Sequence, residues 1–423
     1  MKLVTSSYTM NSLLDNFQKT RNLTTTLVQN LEPEDTVVQP VEFVSPPKWH
    51  LAHTSWFFEN FILKKFKKNF KVYVPEYDFL FNSYYESQGL RTPRSTRGFY
   101  TRPLLREILE YRKHVDSEMC FLLKNDFTEE LANLTIVGIN HEEQHQELLL
   151  TDLKYIWSFS PFHPKLVEKK ANEGIRQASR AWLPIDRGLY TVGAGNEGFH
   201  FDNESPEHRV YLDSFEIAST PTTNGEYLEF IADKGYRRFE LWLQEGFHFI
   251  QQNKIESPLY WKKEGDEYYV YTLSGIRKLN PDEAVTHISY YEADAFARWK
   301  NQRLPTEFEW EVAVENHNLR NIDGNFLDSG EFHPRPVMEG ENSFLGQVWE
   351  WTQSSYLPYP GFTAWSGGLG EYNGKFMINQ MVLRGGSCVT PKKHIRTTYR
   401  NFFHPESRWQ FSGMRLVKGS NTK

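Results

Sequence analysis

The sequence predicts an α+β multidomain protein in which a four-helix bundle precedes a domain of short strands, short helices and irregular loops. Two patterns carry that expectation. Through the first 165 residues apolar positions recur at helical spacing, whereas from Trp182 onward segments such as Trp182 to Ala194 and Arg209 to Ala218 alternate with a period of two. Between them, Lys165 to Arg180 is charged and poor in apolar residues, as expected of a connection. The boundaries expected are therefore 1–165, a linker at 166–180, and 181–423. A chain of 423 residues is long enough to bury two cores.

The first helix is expected over Met10 to Asn30, with Leu13, Leu14, Phe17, Leu23 and Leu27 on one side. The second begins at Pro46-Pro47, with Ser45 placed to cap it, and runs through Lys48-Trp-His-Leu-Ala-His-Thr-Ser-Trp-Phe-Phe-Glu59 to Phe66. A long loop from Val72 to Pro103 follows. The third helix spans Leu104 to Lys124, and the fourth opens at Thr128, where Glu129 and Glu130 suit the positive end of the helix dipole. In the second half, helices are expected over Thr222 to Lys234 and Tyr290 to Asn301, and a hairpin around Gly265-Asp266.

Composition narrows the partners. Forty-eight basic against 54 acidic residues give a net charge of −6. The one basic run, Lys64-Lys65-Phe66-Lys67-Lys68, reads as a solvated helix end, so no nucleic-acid partner is expected. The N-terminus lacks an apolar signal region and no 18-residue apolar stretch occurs, so neither a membrane span nor secretion is expected. The only cysteines, Cys120 and Cys388, lie far apart, which argues against a disulfide scaffold and for a cytoplasmic location.

The chemistry is concentrated in His141-Glu-Glu-Gln-His145, inside a run to Trp157 free of Gly and Pro after Gly138. Histidines four apart share one helix face, so His141 and His145 can bind one metal ion. The neighbouring Leu134, Leu148, Leu149 and Ile156 direct that face into a core, where a pair of neutral imidazoles without a ligand is unusual. The spacing also fits H-E-x-x-H, which would make Glu142 the general base of a zinc peptidase. A third ligand separates these chemistries, and the second helix offers His50 and His53. An all-imidazole set suits Fe(II), Zn(II) or Cu(II) alike. The loop Phe81 to Gly98 adds Tyr84 and Tyr85 beside Arg91, Arg94 and Arg97, whose planar forks match a carboxylate.

Trp49-His-Leu-Ala-His-Thr-Ser-Trp-Phe-Phe-Glu59, Tyr84-Tyr85, His141-Glu-Glu-Gln-His145, Gly346-Gln-Val-Trp-Glu-Trp-Thr352, Leu383-Arg-Gly-Gly-Ser387, Arg396-Thr-Thr-Tyr-Arg-Asn-Phe-Phe403 and Phe411-Ser-Gly-Met-Arg-Leu416 together resemble the sulfoxide synthases of ergothioneine biosynthesis, over nearly the whole chain. The resemblance implies a DinB-like four-helix bundle carrying the metal ligands. It also implies a domain of the formylglycine-generating-enzyme type, related to C-type lectins, that completes the substrate pocket. By the same resemblance, a non-haem Fe(II) is held by His53, His141 and His145, and Gln144 binds the imidazole of hercynine. Tyr84 and Tyr85 with Arg94 and Arg97 match the branch that accepts free cysteine: a phenol delivers a proton and the arginines hold the thiol substrate's carboxylate. Asn401 and Phe402 match the surroundings of the trimethylammonium group, for which an aromatic face is apt because a quaternary ammonium is drawn to the ring quadrupole. The implied reaction joins hercynine to cysteine with O2, giving hercynylcysteine sulfoxide, and Glu142 then has no catalytic part.

The rival readings are a zinc peptidase, a formylglycine-generating enzyme and a lectin-like binding module without metal. The second needs a pair of reactive cysteines in the C-terminal half, where Cys388 stands alone. Within the resembling family, γ-glutamylcysteine as sulfur donor, or a thiohistidine- or selenoneine-forming activity, are the alternatives.

Overall fold

The computed structural model describes residues 9–168, 178–196, 198–320, 323–341 and 343–419. Most of the expected linker, 169–177, lies outside the described residues. The described residues form two compact units: one takes those up to Phe159 together with those of Asn196–Phe199 and Ala364–Asn373, and the other takes the rest.

In the first unit the four long helices are Met10–Val28, Pro47–Phe58, Leu105–Asn125 and Glu129–Trp157. The first two each pack against both of the others, making a four-helix bundle. Thr9 and Thr128 cap two of them by accepting the N–H groups of Ser12 and Leu131. Ser45 does not cap the second helix. Pro46 stands at the cap position, and the Ser45 N–H donates instead to Asp152, 2.7 Å away. All of Pro47–Phe58 is buried, and the helix continues to Phe66 through a π turn at Glu59–Leu63. The loop expected from Val72 to Pro103 contains a short helix, Tyr77–Phe81, and two 3-10 turns, Glu86–Gln88 and Arg94–Phe99.

A buried ion cluster ties the bundle together. Glu142, fully buried, accepts from Arg112 and Thr24, each at 2.7 Å, and from Arg21 at 2.8 Å. Arg21 reaches on to Asp116 and Ser55, and Arg112 to the Leu51 carbonyl and Thr54, so all four long helices contribute. Burying charges is tolerated because every one is paired and hydrogen-bonded.

The second unit is α+β. Its four-stranded sheet has the order Asn401–Phe403, Met381–Arg384, Trp349–Ser355, Ser412–Gly413, antiparallel except for the last pair. The expected hairpin is present as Trp261–Glu264 paired with Glu267–Thr272, extended by a third strand, Gly275–Lys278. Helices Asn224–Ala232 and Tyr290–Trp299 fall within their expected ranges. Two more, Gln244–Gln252 and Glu307–Asn316, were not legible. The latter is buried at nearly every position, so no apolar stripe with a period of 3.6 marks it.

The motifs of this half form buried ion pairs. Arg384 and Arg400 both hold Glu307, at 3.0 and 2.8 Å, and Arg415 holds Glu350 at 2.7 Å. In Leu383-Arg-Gly-Gly-Ser387, Gly385 adopts φ +101°, and a Cβ there would meet the Phe344 carbonyl oxygen at 2.6 Å.

Candidate metal centre

Helical spacing brings His141 and His145 one turn apart on the Glu129–Trp157 helix, and His53 faces them from Pro47–Phe58. One ring nitrogen from each lies within 4.8 Å of the others. The Nε2 atoms of His53 and His141 are 3.1 Å apart. Two ligand atoms about 2.1 Å from one ion, at right angles, stand about 3 Å from each other, so the spacing fits a first-row metal.

Each ring is oriented by its surroundings. His53 Nδ1 donates to the Phe81 carbonyl at 2.6 Å, which leaves its Nε2 lone pair free. The same imidazole stacks on Trp49 at 4.5 Å and on Trp56 at 5.5 Å. His141 stacks on Phe57, with ring centroids 4.2 Å apart. Burial pulls the pKa of all three imidazoles well below the ordinary value, and neighbouring imidazoles push in the same direction, joined by Arg97 at His53 and His145. They stand ready as neutral donors, and the donor set fits Fe(II) or Zn(II).

Tyr85 is fully buried against Phe61 and Trp56, and Tyr84 lies over it with ring centroids 4.7 Å apart. Asn82 fixes this pair by bonding both the N–H and the carbonyl of Tyr85, at 3.1 and 2.9 Å. Burial, then Tyr84 and Tyr372, push the Tyr85 phenol well up, so it keeps its proton. Of the three arginines, Arg91 pairs with Glu86 at 2.6 Å and Arg94 donates to the Phe43 carbonyl. Arg97 lies 3.4 Å over the Trp49 indole and donates to Ser45 at 2.9 Å, while its buried Nε has no partner among the described residues. Desolvation and the proximity of Arg94 lower its pKa well below the usual value.

The sequence did not disclose Tyr372. It belongs to the Ala364–Asn373 segment of the first unit, and its hydroxyl donates to Gln144 Oε1. Its ring lies 5.8 Å from that of His141 and 6.4 Å from that of Tyr84. Next to it, the Glu371 carboxylate accepts the N–H groups of Glu86 and Ser87, at 2.9 and 3.0 Å. A separation of 228 residues between Tyr372 and Gln144 leaves no local pattern to find.

Residues 16–149 match the DinB superfamily, and residues 168–335 and 329–420 match the sulfatase-modifying factor enzyme 1-like domain. The hercynine oxygenase of Mycobacterium tuberculosis is 32% identical over 301 residues, which cover 66% of this chain and 70% of that protein. The chain belongs to the hercynine oxygenase family. The Mycolicibacterium smegmatis hercynine oxygenase is 28% identical, covering 88% of this chain and 91% of its own. Ergothioneine biosynthesis protein 1 of Schizosaccharomyces pombe is 26% identical over 52% of this chain and 28% of its own length. Membership places the chain among oxidoreductases related to ergothioneine-pathway enzymes that act on hercynine.

In this hercynine oxygenase relative the peptidase reading of the pentapeptide fails. Both Glu142 oxygens are taken by Arg21, Arg112 and Thr24, and the arginines hold its carboxyl at a pKa of about 2, outweighing burial. A base that weak, buried and held by two guanidinium groups, does not activate water. Neither is Glu142 an ordinary helix carboxylate, since it is the centre of the bundle's ion cluster. In the second unit, Asn401 and Phe402 lie on the edge strand of the four-stranded sheet. The Phe402 ring stacks on Tyr356 at 4.0 Å, and the Asn401 side chain accepts the Phe402 N–H at 2.9 Å. Among the described residues no helix is long and apolar enough to cross a membrane, and Cys120 and Cys388 are not joined in a disulfide.

Proposed function

We propose that the chain joins hercynine to cysteine in an O2-dependent reaction that forms a C–S bond and oxidises the sulfur, giving hercynylcysteine sulfoxide. The convergence of three neutral, buried imidazoles beside a pair of ordered tyrosines carries this reading. His53, His141 and His145 would hold Fe(II), which supplies activation of O2 when bound. One oxygen atom ends on sulfur. The other leaves as water with the hydrogens lost from the imidazole C–H and the thiol S–H.

Around that centre the chain's own residues bind and orient. Gln144, adjacent to the ligand His145, is placed to hold the hercynine imidazole, with Tyr372 fixing its amide. Arg97, with a free Nε, is the arginine best able to take the cysteine carboxylate, and Arg94 adds positive potential beside it. Tyr84 and Tyr85 hold protons that a developing oxyanion can draw on. Asn401 and Phe402 are proposed as contacts of the trimethylammonium group. Proximity of the two substrates is the main catalytic device. Localisation in the cytoplasm is part of this proposal, as are the roles of the helical domain as ligand carrier and of the second domain in substrate binding.

The test is anaerobic loading with Fe(II), then hercynine, O2 and either cysteine or γ-glutamylcysteine, followed by product mass. The sulfoxide with cysteine supports the proposal, and preference for γ-glutamylcysteine shifts the donor. Oxidation of the thiol alone by the loaded chain overturns it. His53→Ala is expected to lose the iron.

A further inference from the structure

A fourth imidazole stands beside the three and is not arranged as a ligand. His50 places Nδ1 2.9 Å from Nδ1 of His145 and Nε2 3.1 Å from Oδ2 of Asp152. That same oxygen accepts the Ser45 N–H at 2.7 Å. His50 and Asp152 are each 2% exposed.

Proton positions follow from what each atom is able to do. A carboxylate oxygen only accepts, so the His50 proton sits on Nε2. A neutral imidazole then offers a lone pair at Nδ1, and the contact there takes its proton from His145 Nδ1. His145 is left with its lone pair on Nε2, the nitrogen free to ligate.

We propose that Asp152 and His50 form a relay that holds His145 in the Nδ1–H tautomer and aims its Nε2 at the metal. Both are positioning residues, reaching the metal only through His145. The three ligands are then supported by different means: His145 by a carboxylate acting through an imidazole, His53 by the Phe81 carbonyl, and His141 by the Phe57 ring. A carboxylate behind a ligating imidazole raises its basicity, so His145 is the strongest donor of the three. Asp152 lies seven residues beyond His145, two helical turns along the same face, which leaves room for the His50 ring between them.

This inference rests on the three histidines being metal ligands, and the experiment separates the two. Fe(II) dissociation constants would be measured for the full chain by anaerobic competition with a chelator, for the wild type, His50→Leu, Asp152→Leu, the double variant and Asp152→Asn. The two Leu variants are expected to bind Fe(II) roughly 10- to 100-fold more weakly. The double variant should be no worse than the weaker single, and Asp152→Asn, which keeps an acceptor, should recover most of the affinity. Folded single variants with unchanged affinity, or losses that multiply in the double variant, overturn the relay. A wild type that binds no Fe(II) overturns the ligand reading as well. A measurement independent of variant folding is the ring-15N spectrum of the Zn(II)-loaded wild type. It should show His145 metallated on Nε2 with a proton on Nδ1; metal on Nδ1 overturns the relay.

Discussion

Glu142→Gln separates a structural from a catalytic carboxylate. The substitution leaves the buried Arg112 without its counter-charge and Arg21 with Asp116 alone, and stability is expected to fall by about 3–5 kcal/mol, read as an earlier denaturant midpoint. A stability unchanged from wild type, with activity gone, would restore the peptidase role. The tyrosines are tested by product ratio: Tyr84→Phe, Tyr85→Phe and the double variant should shift output from the hercynylcysteine sulfoxide toward cysteine sulfinate. A constant ratio would remove the proton-donor role, with Tyr372→Phe as the comparison for the third phenol. At this scale the sequence was legible where function is local. The i,i+4 histidine pair and the tandem tyrosines announce themselves, and spacing left His50 and His53 both open as third ligand. The structure places His53 in the cluster and His50 against Asp152. Arg21 with Glu142 and Tyr372 with Gln144 are pairings across 121 and 228 residues, and nothing in a single sequence reports such distances.

Helices were read from periodicity and caps, and each of the two that were missed carries one of those signals without the other: Glu307–Asn316 has the Thr306 capping box but no apolar stripe, and Gln244–Gln252 is amphipathic but has no side-chain cap. Thr128 was found as a cap because its position before an acidic first turn is informative; Ser45 misled because Pro46 takes the cap position, where its carbonyl accepts the Trp49 N–H at 2.9 Å and no side chain caps the helix. Gly138 lets the Glu129–Trp157 helix lie close to its neighbour, since a Cβ there would lie 2.5 Å from the buried Phe58 ring. Gly138→Ala therefore sets helix propensity against overpacking. Overpacking should win, lowering stability by about 1–2 kcal/mol with an unchanged denaturant slope. An equal or raised midpoint would mean that the two helices separate freely there.

Across the whole chain, pH exposes two layers of buried charge. The three imidazoles take up protons less readily folded than unfolded, so the metal-free protein loses stability as pH falls below the ordinary imidazole value of about 6.5. Glu142 adds a second loss, between about 4.5 and about 2, as its carboxylate is protonated in the unfolded chain before the folded one. Acid titration of the apo-protein should therefore bend twice, and Fe(II) should be released from the first bend onward because protons compete for the same nitrogens. A flat profile down to pH 5 would contradict neutral, buried imidazoles. The division into bundle and strand-bearing half was legible from the change of period. The recruitment of Ala364–Asn373 into the first unit was not, because a short segment of Gly and aromatic residues carries no periodicity.

The indoles of Trp49 and Trp56, stacked on either turn from His53, give the molecule an optical readout of its own. A paramagnetic ion captured by that imidazole would lie within a few ångströms of two emitters and quench them by contact rather than by long-range transfer. Emission lost on adding Fe(II) to the metal-free chain, and abolished as a response in His53→Ala, would follow occupancy without any substrate turning over.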